Sequence, residues 1–385
     1  MKKLLAITLS LALILSLSAC AKPADDGTQE AQTASDAEPY HLKIAYSPSL
    51  CQAPLHVAVE KGFFEAEGID PENIQVEAAH VQEAIGANQV DVGFGLIGKF
   101  LLPMENGLNI RFTAGIHTGC IKIIAPADSG ITSVSELRGK TIGVTGLSGA
   151  ETIVTKRALA SEGISFDEQN PEVEFLVFAG SDLGQALQNG AIDVIAVGDP
   201  TASQLVEEYG LTVIIDTASS EGFKDEYCCG AFVTEKLATE HPEVAAAYTR
   251  AVLKAAVWVN EHPDEAAQLQ VDKNYVAGAP AFNASVLKSY NYLPSVQGGY
   301  DAIKLSVQQL TDIGILREGT DAAEFADNAY LFFDGEQVPD TYTPDEVETA
   351  LSAITAANVG AVLLPADTYG EDCCGQKAAV NPKSL

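Results

Sequence analysis

Positive charge is scarce in this sequence. Lysine and arginine together number 22, against 53 aspartates and glutamates, so the formal net charge is −31 at pH 7. A chain with this charge repels phosphate backbones and anionic lipid surfaces, so nucleic acid is excluded as an expected partner. Charged residues of both signs make up only 19% of the sequence, and apolar residues make up 47%. This composition excludes bulk disorder and is typical of a chain that folds around a sizeable core.

A membrane-spanning run is also missing at the N-terminus. The apolar stretch over residues 4–17 is shorter than the roughly 20 residues that a helix needs to cross a bilayer. Lys2 and Lys3 precede it and Leu-Ser-Ala-Cys20 follows it, a pattern that resembles a bacterial lipoprotein signal. The resemblance implies that residues 1–19 are removed and that a lipid on Cys20 anchors the chain outside the cytoplasm, at the cell membrane. An ordinary secretory signal is the alternative.

The next segment lacks the residues that build a core. Residues 21–39 contain no aromatic residue and no valine, isoleucine or leucine. Such a segment cannot bury enough apolar surface to fold on its own. We therefore predict that residues 20–40 form the lipid anchor and a flexible tether, which holds a globular body near the membrane.

Several signatures of enzymes and nucleotide-binding proteins are absent. The sequence has no Walker loop, no H-E-x-x-H and no G-x-S-x-G between a strand and a helix. Residues 143–149 do join a predicted strand to a predicted helix, and their backbone N–H groups with the hydroxyls of Thr145 and Ser148 would suit an anion or a polar ligand group. A helix cap with a tight turn explains the same residues, so both interpretations stay open.

Short apolar segments alternate with helical patterns through the middle of the chain. This alternation requires crossover connections and predicts an α/β body with mainly parallel sheets that are covered on both faces. From His241 onward the pattern becomes helical, with Pro242 in an early helical turn. The predicted strands span residues 42–46, 74–77, 90–94, 110–114, 121–125, 141–145, 173–178, 192–197, 211–215 and 231–233.

A series of motifs follows the predicted tether. They are LKIAY at 42–46, APLHVA at 53–58, EKGFF at 60–64, EGI at 67–69, NQVDVGFG at 88–95, SELRGKTIGV at 135–144, ALQNGAID at 186–193 and HPEV at 241–244. In this order they resemble the substrate-binding proteins of ABC importers, in the group that serves nitrate, alkanesulfonates, taurine and thiamine-precursor pyrimidines. The resemblance covers about residues 41–260, and the order of the motifs is more specific than any single motif.

The resemblance implies a periplasmic-binding-protein-like fold of type II, with two α/β lobes joined by two crossing strands and a helical C-terminal part. One lobe would comprise residues 41–120 and 228–365, the other residues 121–227, and residues 366–385 would form a cysteine-containing tail. The implied function is that of a lipid-anchored receptor, not an enzyme. Such a receptor closes its lobes on a ligand and delivers it to the permease and ATPase subunits of an importer.

The implied fold also suggests where the ligand would bind. Ligands of open α/β sheets lie outside the carboxyl ends of the strands, which here face the cleft between the lobes. The expected ligand-binding residues are Ser47, Cys51, Gln52, Gly95, His117, Cys120, Ser148, Asp199, Cys228 and Cys229.

Four cysteines fall at positions that the resemblance directs toward this cleft. Cys51 follows the first strand, Cys120 lies at the first crossing between the lobes, and Cys228 and Cys229 lie at the second. Here the chain departs from the group it resembles, whose clefts present hydroxyls, amides and backbone N–H groups. Thiolates are the natural ligands of Zn, Cu(I) and iron–sulfur clusters. We therefore predict that these four cysteines hold a metal ion or an iron–sulfur cluster as the carried ligand.

Two alternatives remain open from the sequence. The cysteines, including the Cys373–Cys374 pair in the tail, would form disulfides in an exported chain, and the receptor would then take a small organic solute such as a sulfonate, nitrate or a thiamine-precursor pyrimidine. Alternatively, the chain would be an iron-dependent enzyme like the fungal thiamine-pyrimidine synthases, which share this fold group and carry a longer run of cysteines. An exported lipoprotein would have little access to the intracellular precursor of that reaction.

Overall fold

Apolar segments form ten strands in the part of the chain that the structure, a computed structural model, describes: residues 38–77, 80–335 and 337–363. Strands alternate with helices up to the last strand, which confirms the predicted α/β class. The strands are β1 (Tyr40–Tyr46), β2 (Ile69–Gln75), β3 (Val92–Leu96), β4 (Ile110–Thr118), β5 (Ile121–Pro126), β6 (Thr141–Val144), β7 (Glu174–Val177), β8 (Val194–Gly198), β9 (Leu211–Asp216) and β10 (Tyr227–Thr234).

The strands form two five-stranded sheets. The first has the order β2-β1-β3-β10-β4, and the second has the order β7-β6-β8-β5-β9. In each sheet the first three strands are parallel, whereas β10 runs antiparallel to β3 and β4, and β5 runs antiparallel to β8 and β9. The sheets are therefore mixed, and the prediction of mainly parallel sheets is wrong for the half of each sheet that contains a crossing strand.

Two segments of chain pass between the sheets. The first joins β4 to β5 through Gly119 and Cys120, and the second joins β9 to β10 over residues 217–226. Each crossing strand enters its new sheet directly, without a crossover helix, and this lets it lie antiparallel to its neighbours. The predicted architecture of two α/β lobes joined by two crossings is confirmed.

The edge strand β2 lies earlier than the sequence pattern predicts. It covers Ile69–Gln75, whereas the prediction was residues 74–77. Its outward residues Asp70 and Glu72 are exposed, and Pro71 sits within it. An edge strand tolerates proline and charge because one of its sides has no strand partner, so the strand carries little of the apolar signal on which the prediction relied.

Helices cover the sheets and build most of the chain after β10, as predicted. Several begin with proline in the first turn, where the missing N–H would have no intrahelical acceptor. The helices are α1 (Ala53–Glu60), α2 (Phe63–Ala66), α3 (Val81–Gly86), α4 (Ile97–Glu105), α5 (Ala150–Ser161), α6 (Leu183–Gln188), α7 (Thr201–Tyr209), α8 (Glu235–Glu240), α9 (Pro242–Glu261), α10 (Pro263–Asp272), α11 (Pro280–Leu287), α12 (Val296–Asp312), α13 (Ala322–Ala329) and α14 (Pro344–Leu363).

The core of the first sheet is the larger one, and α9 runs through it. Most side chains of α9 are buried, including Tyr248, whose hydroxyl donates to the carbonyl of Gly93 in β3 at 2.6 Å. A helix that is apolar on nearly all sides must be surrounded by other elements, and α9 packs on α1, α2 and α14. Within the described ranges, no helix is both long enough and apolar enough to cross a membrane.

Candidate functional site

Four thiols and one imidazole meet where the chain crosses between the sheets. Cys51 comes from the short 3-10 turn after β1, Cys120 from the first crossing, and Cys228 and Cys229 from the start of β10. His117 lies near the end of β4, directly opposite Cys229 on the neighbouring strand. The structure thus brings together all five predicted cysteine and histidine site residues, from segments up to 178 positions apart in the chain.

The five side chains form two groups of three. The sulfurs of Cys120, Cys228 and Cys229 lie within 4.8 Å of one another. The sulfurs of Cys51 and Cys229 and a ring nitrogen of His117 also lie within 4.8 Å of one another. None of the four described cysteines in these groups is in a disulfide, and the sulfurs of Cys120 and Cys228 lie 3.0 Å apart. That separation is about 1 Å longer than a disulfide bond.

Burial separates these groups from water. Cys229 and His117 have no exposed surface, and Cys51 and Cys120 are buried, whereas Cys228 is half-buried. Cys228 is therefore the thiol of the cluster that solvent or an incoming ligand reaches first.

The pKa values of three of the thiols are shifted in different directions. A hydrogen bond to Cys228 raises the pKa of Cys120 to about 11, so Cys120 is the donor of that pair. The hydrogen bonds that Cys228 accepts from Cys120 and Cys229 lower the pKa of Cys228 to about 6. Burial holds the pKa of Cys229 well above its ordinary value. Of these three thiols, Cys228 is therefore the one that ionises most readily, and its thiolate would be the strongest nucleophile among them.

The buried His117 ring is held in one orientation. Its Nδ1 lies 3.2 Å from the carbonyl oxygen of Thr118, and its Nε2 has no hydrogen-bond partner. Because a carbonyl oxygen only accepts, Nδ1 carries the proton, and the lone pair of Nε2 is free. Tyr290 stacks on the ring at a centroid distance of 5.3 Å, and Tyr292 and Phe94 contact it from other sides.

The backbone at Cys120 is fixed by a hydroxyl from the second crossing. The Oγ1 of Thr217 accepts from the backbone N–H groups of Cys120 and Ile121, both at 3.0 Å. The carbonyl of Cys120 accepts from the N–H of Asp199 at 2.8 Å. Gly119 precedes Cys120 with φ +68°, and a Cβ there would stand 2.4 Å from Ala218. These contacts join the two crossings side by side and set the position of the Cys120 sulfur.

Cys51 is held from the opposite side. The hydroxyl of Ser49 lies 3.2 Å from its sulfur. The hydroxyl of Tyr292 lies 3.2 Å from the carbonyl oxygen of Cys51 and donates to it. Tyr292 comes from a segment after α11 that bridges to β4 at Thr118 and Gly115, so the C-terminal part of the chain closes one side of the site.

A cavity of about 50 Å³ opens beside Cys228 between elements of both sheets. Arg157 of α5 pairs there with Glu226 at 2.7 Å, and Gln309 of α12 donates to the same carboxylate at 2.9 Å. The guanidinium of Arg157 also lies over the ring of Phe223, 4.7 Å from its centroid. A cavity of this size holds a few water molecules, whereas pockets for drug-sized ligands measure roughly 300–1,000 Å³.

Other predicted ligand-binding residues make internal hydrogen bonds near the end of β1. The side chain of Gln52 accepts from the N–H of Ser47 at 2.8 Å and donates to the carbonyl of Phe94 at 3.3 Å. The hydroxyl of Ser47 donates to Val76 at 2.7 Å. Gly95 lies in β3 opposite Gly230 of β10. These groups shape the turn that carries Cys51, and their contact with a ligand stays a prediction.

Ser148 and Asp199 lie outside the five-residue cluster. Ser148 is exposed in the loop before α5 and does not cap that helix by a side-chain hydrogen bond. In the same loop the N–H and the hydroxyl of Thr145 both donate to the carboxylate of the buried Glu151, so the donors that would suit an anion already serve an internal one. Asp199 is buried and paired with Lys122. Ligand contact by Ser148 and Asp199 also stays a prediction.

Sequence reasoning missed the two tyrosines that enclose the site. Tyr290 and Tyr292 are both buried, and the hydroxyl of Tyr290 has no partner. The alternating Tyr-Asn-Tyr between two helices is the local signal that marks a strand-like segment there. Cys20, Cys373 and Cys374, for which a lipid anchor and a tail were predicted, lie outside the described residues.

Comparisons with known proteins agree with this architecture. A family model described as "NMT1/THI5 like" matches residues 51–266. The chain is 27% identical to the riboflavin-binding protein RibY of Chloroflexus aurantiacus over 70% of this chain and 78% of that protein. It is also 27% identical to a putative aliphatic sulfonates-binding protein of Bacillus subtilis, over 60% of this chain and 69% of that one.

A solved structure shares the fold. The periplasmic nitrate-binding protein NrtA of Synechocystis PCC 6803 aligns with a TM-score of 0.63 and 16% identity, over 82% of this chain and 99% of that one. The predicted periplasmic-binding-protein-like fold is therefore confirmed.

Proposed function

Because the chain belongs to the NMT1/THI5-like family, we propose that it is an extracytoplasmic solute-binding receptor of an ABC importer. It captures a ligand between its two sheets and passes it to the permease and ATPase subunits, and it catalyses no reaction. The names of the relatives support this role, since those compared bind riboflavin, aliphatic sulfonates or nitrate. The two crossings support it too, because they are the natural hinge for closure around a ligand.

The cargo that the site suits is a soft metal ion, one that prefers sulfur ligands. The observation that carries this proposal is the convergence of the sulfurs of Cys120, Cys228 and Cys229 within 4.8 Å of one another, without a disulfide. Thiolate ligands around a single ion at about 2.3 Å stand roughly 3.8 Å apart, which this group reaches with small side-chain movements. The net charge of −31 also favours a cation over an anion near the protein.

An iron–sulfur cluster is a poorer match to this spacing. Each thiolate of a cubane binds a different iron atom, so its thiolates stand further apart than those around one ion. The cavity of about 50 Å³ beside Cys228 is also small for a cluster in this conformation. We therefore favour a single-ion cargo at this group over the cluster.

A small organic solute is the second candidate. The relatives named above favour it, and aromatic rings at the site, those of Phe94, Tyr290 and Tyr292, offer stacking faces. In that case the thiols would pair as disulfides and the cleft would open wider to admit the solute. Residues Cys120 and Cys228 already have adjacent sulfurs, so they would form the first such bond.

The proposed location follows from the N-terminal pattern. Removal of residues 1–19 and lipidation of Cys20 would hold the receptor at the outer face of the membrane, beside its permease. A flexible segment over residues 20–40 would leave the body free to turn between ligand capture and docking.

Metal analysis of anaerobically purified protein tests the proposed cargo. We expect the full-length chain to retain a thiophilic metal, and Cys228→Ser to lose at least 90% of it, since one of three ligands is gone. Ser148→Ala is the matched control, because Ser148 is exposed and outside the cluster; it should retain the metal. Iron and sulfide with visible absorbance would identify a cluster instead.

The same samples also test the second candidate, a small organic solute. A colourless, metal-free chain that has all four thiols oxidised, and that binds a sulfonate or a flavin, would contradict the metal cargo and leave the receptor role in place. Equal metal content in the parent chain and in Cys228→Ser would show that any metal binds elsewhere.

A further inference from the structure

The donor atoms around Cys229 outnumber what one ion can use. Cys120 and Cys228 form one group of three with Cys229, and Cys51 and His117 form another. The two groups share only the sulfur of Cys229, which has no exposed surface and lies on β10 between β3 and β4. A thiolate has electron pairs enough to bind two ions at once, so a shared sulfur is the natural bridge between them.

His117 gives the second group its independent support. Its Nε2 is buried and has no hydrogen-bond partner, an arrangement that is rare in folded proteins and calls for an explanation. Its Nδ1 donates to the carbonyl of Thr118, at 3.2 Å. Metal-binding histidines usually have this arrangement, in which the second ring nitrogen donates to a carbonyl or a carboxylate and leaves the first free to bind.

We propose that the site binds two soft ions that are bridged by the thiolate of Cys229. One ion would be held by Cys120, Cys228 and Cys229, and the other by Cys51, His117 and Cys229. This proposal rests on the proposed metal cargo and sets the number of ions and the ligands of each.

The coordination number favours Cu(I) as the ion. Each group offers three ligands, and Zn in structural sites almost always takes four. Cu(I) is selected by thiolates, accepts imidazole as well, and is satisfied by three ligands in a dry site. The His117 side of the site is dry, since Tyr290, Tyr292 and Phe94 enclose it.

The number of Cu(I) ions bound per chain tests the proposed pair of ions. The full-length chain carrying Cys20→Ser, Cys373→Ser and Cys374→Ser is the parent, so that only the four described thiols contribute. Anaerobic titration with Cu(I) against a chromophoric chelator should give two ions per chain, and native mass spectrometry should show both. His117→Ala and Cys51→Ser should each reduce this to one ion, and so should Cys120→Ser, which acts on the other group.

Two further measurements check that the variants fold and that two copper ions lie next to each other. Near-ultraviolet circular dichroism of each metal-free variant checks that it folds. X-ray absorption at the copper edge should show a copper–copper vector in the parent and none in His117→Ala. One ion in the parent, with His117→Ala unchanged, would overturn the pair and leave the receptor's metal cargo standing. No bound Cu(I) in the parent would overturn the pair, and the metal analysis of the purified chain would then decide separately whether another soft metal is the cargo.

Discussion

At the scale of single residues, the proposed metal binding depends most on Cys228. It is the only half-buried thiol of the four described, it lines the cavity, and it accepts hydrogen bonds from Cys120 and Cys229. These features make it the first sulfur that an ion entering through the cavity would meet. Because the pKa values of Cys120 and Cys229 are raised, these thiols must lose their protons as the ion binds, so metal binding should weaken as the pH falls.

The lowered pKa of Cys228 predicts an unusual alkylation profile. In the metal-free chain its pKa of about 6 leaves it ionised at neutral pH. Its alkylation rate should therefore be nearly constant above about pH 7 and fall below about pH 6, whereas an ordinary thiol still gains rate up to about pH 8.5. Peptide mass spectrometry after brief treatment with iodoacetamide at a series of pH values measures this rate.

Cys120→Ala is the matched variant for that profile. It removes the hydrogen bond that contributes most to the lowered pKa of Cys228. The midpoint of the alkylation profile should then move up toward the ordinary thiol range of about 8.5. A profile that is the same in the parent chain and in the variant would show that Cys120 does not stabilise the Cys228 thiolate.

Sequence reasoning identified the metal-type side chains but not their surroundings. Cys51, Cys120 and Cys228 follow strand ends or crossings, and strand ends of one sheet meet at one edge, so the motif order was enough to bring them together. Tyr290 and Tyr292 reach the site through isolated bridges to β4 from a segment about 170 residues further along the chain. No local sequence pattern predicts that two segments so far apart in the chain will pair. Glu151 accepts from Thr145 only six residues away, but the sequence does not show that its side chain folds back into that loop.

At the scale of elements, the two crossings act as one unit. Thr217 joins them, since its hydroxyl accepts from two backbone N–H groups of the first crossing and donates to the carbonyl of Ile121 at 3.1 Å. The side chain of Thr217 is buried. The position of Cys120 therefore depends on a residue almost a hundred positions away in the chain.

Thr217→Val should destabilise the protein. The substitution keeps the shape of the side chain but leaves two buried N–H groups without an acceptor, at a cost of about 1–3 kcal/mol for each unsatisfied group. Urea unfolding of the metal-free chain, followed by tryptophan fluorescence or circular dichroism, measures the loss.

Thr113→Val is the control for that substitution. Thr113 is equally buried, in β4, but its hydroxyl has no hydrogen-bond partner. Replacing it removes an unsatisfied polar group, so its free energy of unfolding should stay the same or rise. Equal losses in the two variants would show that packing, not the hydrogen bonds of Thr217, sets the stability of the crossings.

Most element types were predicted correctly, and the errors have physical causes. Central strands such as β5 and β8 are buried on both faces and read as continuous apolar runs. The edge strand β2 has polar outward residues, so its position was misjudged. The antiparallel direction of β5 and β10 depends on where each strand enters its sheet, and this is a property of the topology that local apolar patterns do not contain.

At the scale of the whole molecule, the thiol cluster lies where closure of the two lobes would change the local structure. The link from Arg157 of α5 through Glu226 to Gln309 of α12 spans the two sheets beside the same cavity. Opening the lobes would separate these groups and widen the access to Cys228. A ligand that binds more tightly to the closed form than to the open form would shift the protein toward the closed form. The thiol cluster and the region where the two lobes would close thus lie at the same place in the molecule.

An anomalous-difference map at the copper edge, from a crystal of the full-length chain loaded anaerobically with Cu(I), tests the account most directly. We expect a peak bounded by the sulfurs of Cys120, Cys228 and Cys229, in the cleft between the two sheets. A map without a peak at these sulfurs, in a crystal where they are joined in disulfides or an organic solute fills the cleft, would contradict the account.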